Sequence, residues 1–425
     1  MASLQTPAEA HVRALEAPGP LPTLGDVLPR IEACFRGAVG VVLVTAEALR
    51  EVEHHYGAEA HQRALRNLVE LVQDTARARL DADDLVVQGA LGHGEVVLLC
   101  FRTANDITFQ RGELPELARL ISQTLAAQGH RVGHPYVRGP VSLPAGSSFV
   151  LRNPTLSVAT QLRAALDEAR GDAELAGRTA ARERRHRLLS VLVGEEVYSV
   201  YEPIVEVSTR TVFGYEALAR GPVGTELHSP AVMFDRAAEE GLVFELDSLC
   251  RRRGLEGALD LPSGTKLFLN FRPTTIHDPS FQAEVLSRTL ERSRLRPSDI
   301  VFEISEQESI DNFWLFREVR DYYGSLGFQV ALDDTGAGYS SLEAVMELSP
   351  EFIKVDRAFV QGIDQDASRQ ELLRALHSVA NRIGARIIAE GLDTLEELNT
   401  LGQLGIPFGQ GWLFGKATPL RAAGQ

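Results

Sequence analysis

The chain has 425 residues, 44% hydrophobic and 24% charged, an ordinary composition for a folded globular protein and a length that suits two or three domains. A formal net charge of -15 argues against binding of nucleic-acid polymers through a broad basic surface. No run approaches the roughly 18 apolar residues of a spanning helix, and residues 1–30 lack a basic stretch followed by an apolar core, so no membrane insertion is expected and the expected location is the cytoplasm.

Up to about Ala180, strand-like runs (GVVLVTA at 40–46, GEVVLLCF at 94–101) alternate with helical ones, the pattern of a small α/β domain. Residues 155–192 are rich in Ala, Arg and Glu at helical spacing and are expected to form a last helix and connector, interrupted at Gly171 and Gly177. VYSVYEPIVE at 197–206, the turn STRT and TVFGYEAL predict a hairpin. Strands then alternate with helices over the remaining segment, which predicts one (β/α)8 barrel. The expected division is an extension over 1–30, a first domain over 31–180, a helical connector over 181–195 and the barrel over 196–425. Cys34, Cys100 and Cys250 form no CxxC and are expected to be core thiols. His54, His55, His61 and His93 show no recognised metal-ligand spacing.

The barrel segment carries the chemistry. Its apolar runs repeatedly end in a polar side chain: Glu216, Asn270, Glu303, Asp333 with Asp334, Lys354, Glu390 and Gln410. Strands of a parallel barrel read as continuous apolar runs, and their carboxyl ends converge on one mouth where active sites lie. Only three of the 43 basic residues are lysines (Lys266, Lys354 and Lys416), yet one stands inside an apolar strand. A lysine is a compact charge that arginine does not replace.

EALAR at 216–220, LNFRP at 269–273, FEISE at 302–306, DDTGAGYSSL at 333–342, IKVD at 353–356, IAEGLD at 388–393 and GQGWLFGKATP at 409–419 resemble the EAL-domain family of cyclic di-GMP phosphodiesterases. The resemblance implies a TIM-like barrel with an antiparallel first strand, binding of cyclic di-GMP, a homodimer through that domain, and hydrolysis to linear pGpG with two Mg²⁺ or Mn²⁺ ions. It places metal ligands at Glu216, Asn270, Glu303, Asp333 and Asp334, and a water-orienting lysine at Lys354. Glu390 completes the water or second-metal network, and Glu306 holds the loop that begins at Asp333. Arg220, Gln410 and Glu202 fall at substrate-contacting positions. The sequence departs from the family's usual Gln at Glu202, Phe at Thr335, Thr at Ala337 and Glu at Asp393. A silent cyclic di-GMP receptor, or a scaffold, is the alternative.

The first segment resembles a GGDEF domain more weakly, through REVEHHYGAEAHQRAL at 50–65 and GHGEV at 92–96. Thr45 occupies the place of a metal aspartate, and Glu53 and His54 that of a nucleotide-reading pair. The resemblance therefore implies a degenerate domain that makes no cyclic di-GMP.

Overall fold

The structure, a computed structural model, describes residues 22–89, 94–137, 141–272, 278–293, 295–305, 313–335, 345–346 and 348–420. The chain divides into two compact units, Met1–Arg184 and Arg185–Gln425.

The first unit contains α1 (Leu24–Cys34), β1 (Ala38–Thr45), α2 (Arg50–Ala76), β2 (Leu85–Gln88), β3 (Glu95–Arg102), α3 (Leu114–Gly133), β4 (Ala145–Leu151) and the larger part of α4 (Val158–Val193). The strands pair in the order β2-β3-β1-β4, and every pairing is antiparallel. Successive side chains of a strand point to opposite faces, and β1 shows the consequence. Val42 and Val44 join Leu98, Cys100 and residues of α2 and α3 in one core, whereas Val39, Val41 and Leu43 join Val97, Leu99 and residues of α1 and α4 in the other. Gly40 is required between them, because a Cβ there would lie 2.6 Å from the ring of Phe109.

Contrary to expectation, α4 runs through Gly171 and Gly177 without a break. A mid-helix glycine costs only about 1 kcal/mol relative to alanine, and the burial of Leu162, Ala165, Ala169 and Ala173 against the sheet outweighs it. Gly177 also lets the helix pass close to Pro144, since a Cβ would lie 3.3 Å from the proline ring.

The second unit is a closed eight-stranded barrel formed by β5 (Tyr198–Glu206), β6 (Val212–Arg220), β7 (Lys266–Asn270), β8 (Ile300–Ser305), β9 (Gln329–Thr335), β10 (Phe352–Val355), β11 (Arg386–Ala389) and β12 (Phe408–Gln410). As expected, β5 is antiparallel to both neighbours, β6 and β12, and the remaining pairs are parallel. Between strands run α5 (Pro230–Glu240), α6 (Val243–Glu256), α7 (Ala283–Ser293), α8 (Phe313–Ser325), α9 (Arg357–Val360), α10 (Ala367–Ile383) and α11 (Leu395–Gln403). One large apolar core includes the outward residues Leu267, Leu269, Phe302, Leu332, Ile353 and Ile387. A smaller one fills the barrel's interior: Ile204, Phe268, Val301, Ala331, Phe352, Ile388 and Phe408. A register shift beside Ile204 accommodates Phe213, which stacks on Phe408 at 4.1 Å between centroids.

Candidate active site

That inner layer positions the site. Two residues beyond each member, and so on the same strand face, stands a polar group. Phe268 is followed by Asn270, Val301 by Glu303, Ala331 by Asp333, Phe352 by Lys354, Ile388 by Glu390 and Phe408 by Gln410. Gly214 precedes Glu216 in the same way, and on antiparallel β5 the order reverses, so that Glu202 precedes Ile204. An apolar floor thus carries a polar ring one pleat above it.

Lys354 is its centre. Fully buried, its Nζ lies 2.7 Å from Glu390 Oε1, 2.9 Å from Glu303 Oε1, and 3.2 Å from both Glu216 Oε2 and Asp333 Oδ1. Burial opposes the ammonium's charge, but Asp333, Glu216, Glu303 and Glu390 together hold it protonated well above the ordinary lysine range. Glu216 also accepts hydrogen bonds from Gln410 Nε2 at 2.7 Å and Asn270 Nδ2 at 3.3 Å. Burial pushes its carboxyl up, yet Lys354 and these donors outweigh burial and leave it below the usual range.

One ammonium does not balance the remaining carboxylates. Burial, and then the charge of Glu216, raise Glu303 well above its ordinary value. Burial and Asp333 raise Asp334. Glu390 is pushed to about 8, chiefly by burial and against the pull of Lys354. Glu202 sits directly opposite Glu216 across the β5–β6 pair, and burial followed by that like charge raises it too.

The residues present fit hard divalent cations. Glu303 Oε2 and Gln410 Oε1 are buried with no hydrogen-bond partner among the described residues. Asp333, Asp334 and Glu390 each offer an oxygen within 4.8 Å of one another. All the available donors are oxygens, the preference of Mg²⁺ or Mn²⁺. Asp334 turns its backbone into the left-handed region, at φ 56, so consecutive aspartates both reach the cleft. Aspartate tolerates this conformation better than most residues, and such outliers gather at functional sites. No histidine joins a metal-capable group among the described residues: His61 lies 3.8 Å from Glu53, and His55 Nδ1 lies 2.9 Å from the Glu51 carbonyl.

A family model for the EAL domain matches residues 185–417. The chain belongs to the EAL-domain family. An Escherichia coli K12 relative named "Probable cyclic di-GMP phosphodiesterase PdeG" is 33% identical over 52% of this chain and 44% of its own length. Another from that strain, "Probable cyclic di-GMP phosphodiesterase PdeN", is 27% identical over 55% of this chain and 46% of its own. The chain thus spans about half the length of these curated relatives. The EAL barrel's fold is shared with the Xanthomonas citri FimX EAL domain, solved in complex with c-diGMP. The TM-score is 0.53 at 20% identity, covering 58% of this chain and 97% of that one.

Within the EAL unit, Glu216, Asn270, Glu303, Asp333, Lys354, Glu390, Gln410 and Glu202 converge as described, and Asp334 lines the same cleft. Arg220 ends β6, with its guanidinium hydrogen-bonded to the Ala219 carbonyl at 2.8 Å, and it is not among the residues lining the cleft that holds Lys354. Glu306 and Ala337 lie outside the described residues. Thr335 is fully buried between β9 and β10. The sequence reading gave no role to the side chains of Arg357, Gln361 and Trp412, which line a cleft of about 320 Å³. The available signal was position, since Arg357 follows the IKVD strand directly.

A separate cavity of about 280 Å³ in the first unit is lined by Thr45, Glu47, Glu95, Arg170, Glu174 and Arg178, among others. Thr45 stands opposite Glu95 in the β1–β3 pair. Glu95 is nearly inaccessible and is gripped by both ends of one guanidinium: Arg170 Nε to Oε1 at 2.6 Å and Nη2 to Oε2 at 3.2 Å.

Proposed function

We propose that the EAL barrel hydrolyses cyclic di-GMP to linear pGpG in bacterial second-messenger signalling in the cytoplasm, with two Mg²⁺ or Mn²⁺ ions. The observation that carries this is the surplus of carboxylates around Lys354, with buried oxygens still unpartnered. Glu216, Asn270, Glu303 and Asp333 would hold the ions, with Asp334 shared between them. The ions supply positive charge to a phosphodiester and lower the pKa of water.

The chain's own residues do the rest. Lys354 is held as an ammonium, so its Nζ donates hydrogen bonds and does not act as a base; it orients the attacking water and the acids around it. Glu390, whose carboxyl is pushed up to about 8 by burial, is suited to carry the water's proton. Water adds to one phosphorus, the bond to the 3′-oxygen breaks and that oxygen takes a proton. Gln410 fixes the Glu216 carboxylate, Glu306 steadies the loop after Asp333, and Arg220 and Glu202 contact substrate.

The same reading makes the protein a homodimer through residues 196–425 and makes residues 31–180, joined by the helical connector over 181–195, a degenerate GGDEF-like domain. The Glu95–Arg170 pair supports the latter, because an internal cation already neutralises the glutamate beside Thr45. One observation favours a silent receptor instead: Glu202 adds a further carboxylate to a cleft meant for an anion.

The test is incubation of purified protein with cyclic di-GMP and Mg²⁺ or Mn²⁺, with the products separated chromatographically. Linear pGpG is expected from the wild type and none from Glu216→Ala or Asp333→Ala. Binding without turnover would select the receptor, and wild-type rates in either variant would show that the chemistry lies elsewhere.

A further inference from the structure

Among the residues that line the Lys354 cleft there are two cations, Lys354 and Arg357. They differ in one respect. The Lys354 charge is matched by four carboxylates, whereas the exposed Arg357 side chain has no ion pair or hydrogen bond to any described residue. Arg210 and Arg382 are also exposed in this unit without such a partner among the described residues, but neither lines the cleft; what sets Arg357 apart is an uncommitted guanidinium placed beside so many acids.

Arg357 is also placed by design of the backbone. Asp356 caps α9 by accepting a hydrogen bond from the Ala358 amide at 2.7 Å, which fixes Arg357 as the first helical residue, three beyond Lys354. The segment following Glu390 passes flush against its stem: Gly391 has φ 71, and a Cβ there would lie 2.4 Å from Arg357 Cβ. Only glycine accommodates both that backbone and that approach.

We propose that Arg357 is a substrate-positioning residue whose guanidinium binds the phosphodiester of the cyclic dinucleotide that is not being cut. This rests on the reading above that the cleft takes cyclic di-GMP. Such a ligand carries two phosphodiesters. The buried cluster around Lys354 receives the one that reacts, which leaves the other toward the exposed rim where Arg357 stands. A guanidinium fork matches two phosphate oxygens in a way a point charge does not. Having no ion pair with any described residue, Arg357 gives up none of those contacts when it binds. It also supplies attraction where the acids would otherwise repel an anion.

The experiment compares wild type, Arg357→Ala and Arg357→Lys on two substrates: cyclic di-GMP, and bis(p-nitrophenyl) phosphate, which has a single phosphodiester. For Arg357→Ala, KM for cyclic di-GMP should rise about tenfold or more while kcat falls by much less, the signature of lost binding. The rise should be at least about fivefold larger than for the single-phosphate substrate, and Arg357→Lys should recover part of it. If the wild type binds without turnover, Kd for cyclic di-GMP should rise by the same factor. An unchanged KM or Kd, or an equal rise for both substrates, overturns the assignment while leaving the proposed activity intact. A wild type that neither cuts nor binds cyclic di-GMP overturns both.

Discussion

Each unit of this protein buries a glutamate beside a cation, and the two sites are opposites in charge balance. In the first unit Arg170 meets Glu95 fork to carboxylate and also holds the exposed Asp167 at 2.7 Å, so the buried acid is compensated on the spot. In the barrel, the single ammonium of Lys354 faces Glu216, Glu303, Asp333 and Glu390, and Glu303, Glu390 and the neighbouring Asp334 are held above their ordinary pKa. A satisfied pair contributes to the fold and asks for nothing more. An unsatisfied cluster costs stability and persists where a ligand or ion completes it. The comparison therefore separates a compensated ion pair from a cluster left short of positive charge, without reference to sequence motifs.

The largest effect should come from Lys354→Arg, which keeps the charge but replaces a compact ammonium that touches four carboxylates with a planar fork. Turnover of cyclic di-GMP in a steady-state assay is expected to drop about 10²-fold or more. A rate within a factor of two of wild type would place Lys354 in the same structural class as Arg170.

Arg170→Ala should act on the fold of the first unit. It strands a carboxylate of 3% exposure, and since Arg170 is itself partly exposed the expected loss is about 2 kcal/mol, below the roughly 3–5 kcal/mol of a fully buried pair. Urea unfolding followed by circular dichroism checks this. Adding Glu95→Leu should restore most of the loss, and failure of that rescue would mean that Glu95 has another role.

A smaller effect sharpens the contrast within the barrel, where Glu397 is an acid whose burial is compensated. Its carboxylate accepts from the amides of Gly362 at 2.8 Å, Asp393 at 3.0 Å and Thr394 at 3.1 Å. Burial pushes its pKa up, but these bonds win and lower it. Because the folded value is depressed, its contribution is present above the ordinary glutamate pKa and lost as pH falls through the folded one. Glu397→Gln should cost about 1 kcal/mol at neutral pH, and the difference from wild type should shrink as pH falls below the ordinary glutamate range and vanish below the depressed folded value. A gap that persisted in acid would assign the effect to packing.

The smallest effect has the opposite sign. Gly171 sits in α4 facing open space, so Gly171→Ala should stabilise the first unit by up to about 1 kcal/mol in the same unfolding measurement. A loss of stability would show that the residue serves something other than helix continuity.

The polar ring of the barrel was legible in the sequence because its members follow the inward apolar residues by two, and a strand's period of two is a local property. Phe352 to Lys354 and Ile388 to Glu390 can be read from five letters each. The hairpin at 197–218 was legible for the same reason, while the antiparallel first strand of the barrel was what the family resemblance implied. Other features depend on residues far apart in the chain. Glu95 and Arg170 are 75 positions apart, and nothing local marks one as the partner of the other. The glycines of α4 read as breaks because propensity is local, whereas the packing of Ala165, Ala169 and Ala173 that overrides it comes from the whole sheet, including strands β1 and β3 more than sixty residues earlier. That Lys354 is matched four times, and Arg357 by no described residue, follows only when β6, β8, β9 and β11 close around one axis. The sequence by itself determined which residues share a strand face, because that follows from backbone geometry. The tertiary structure decided which charges are compensated, because Coulomb energies depend on distances that only barrel closure sets.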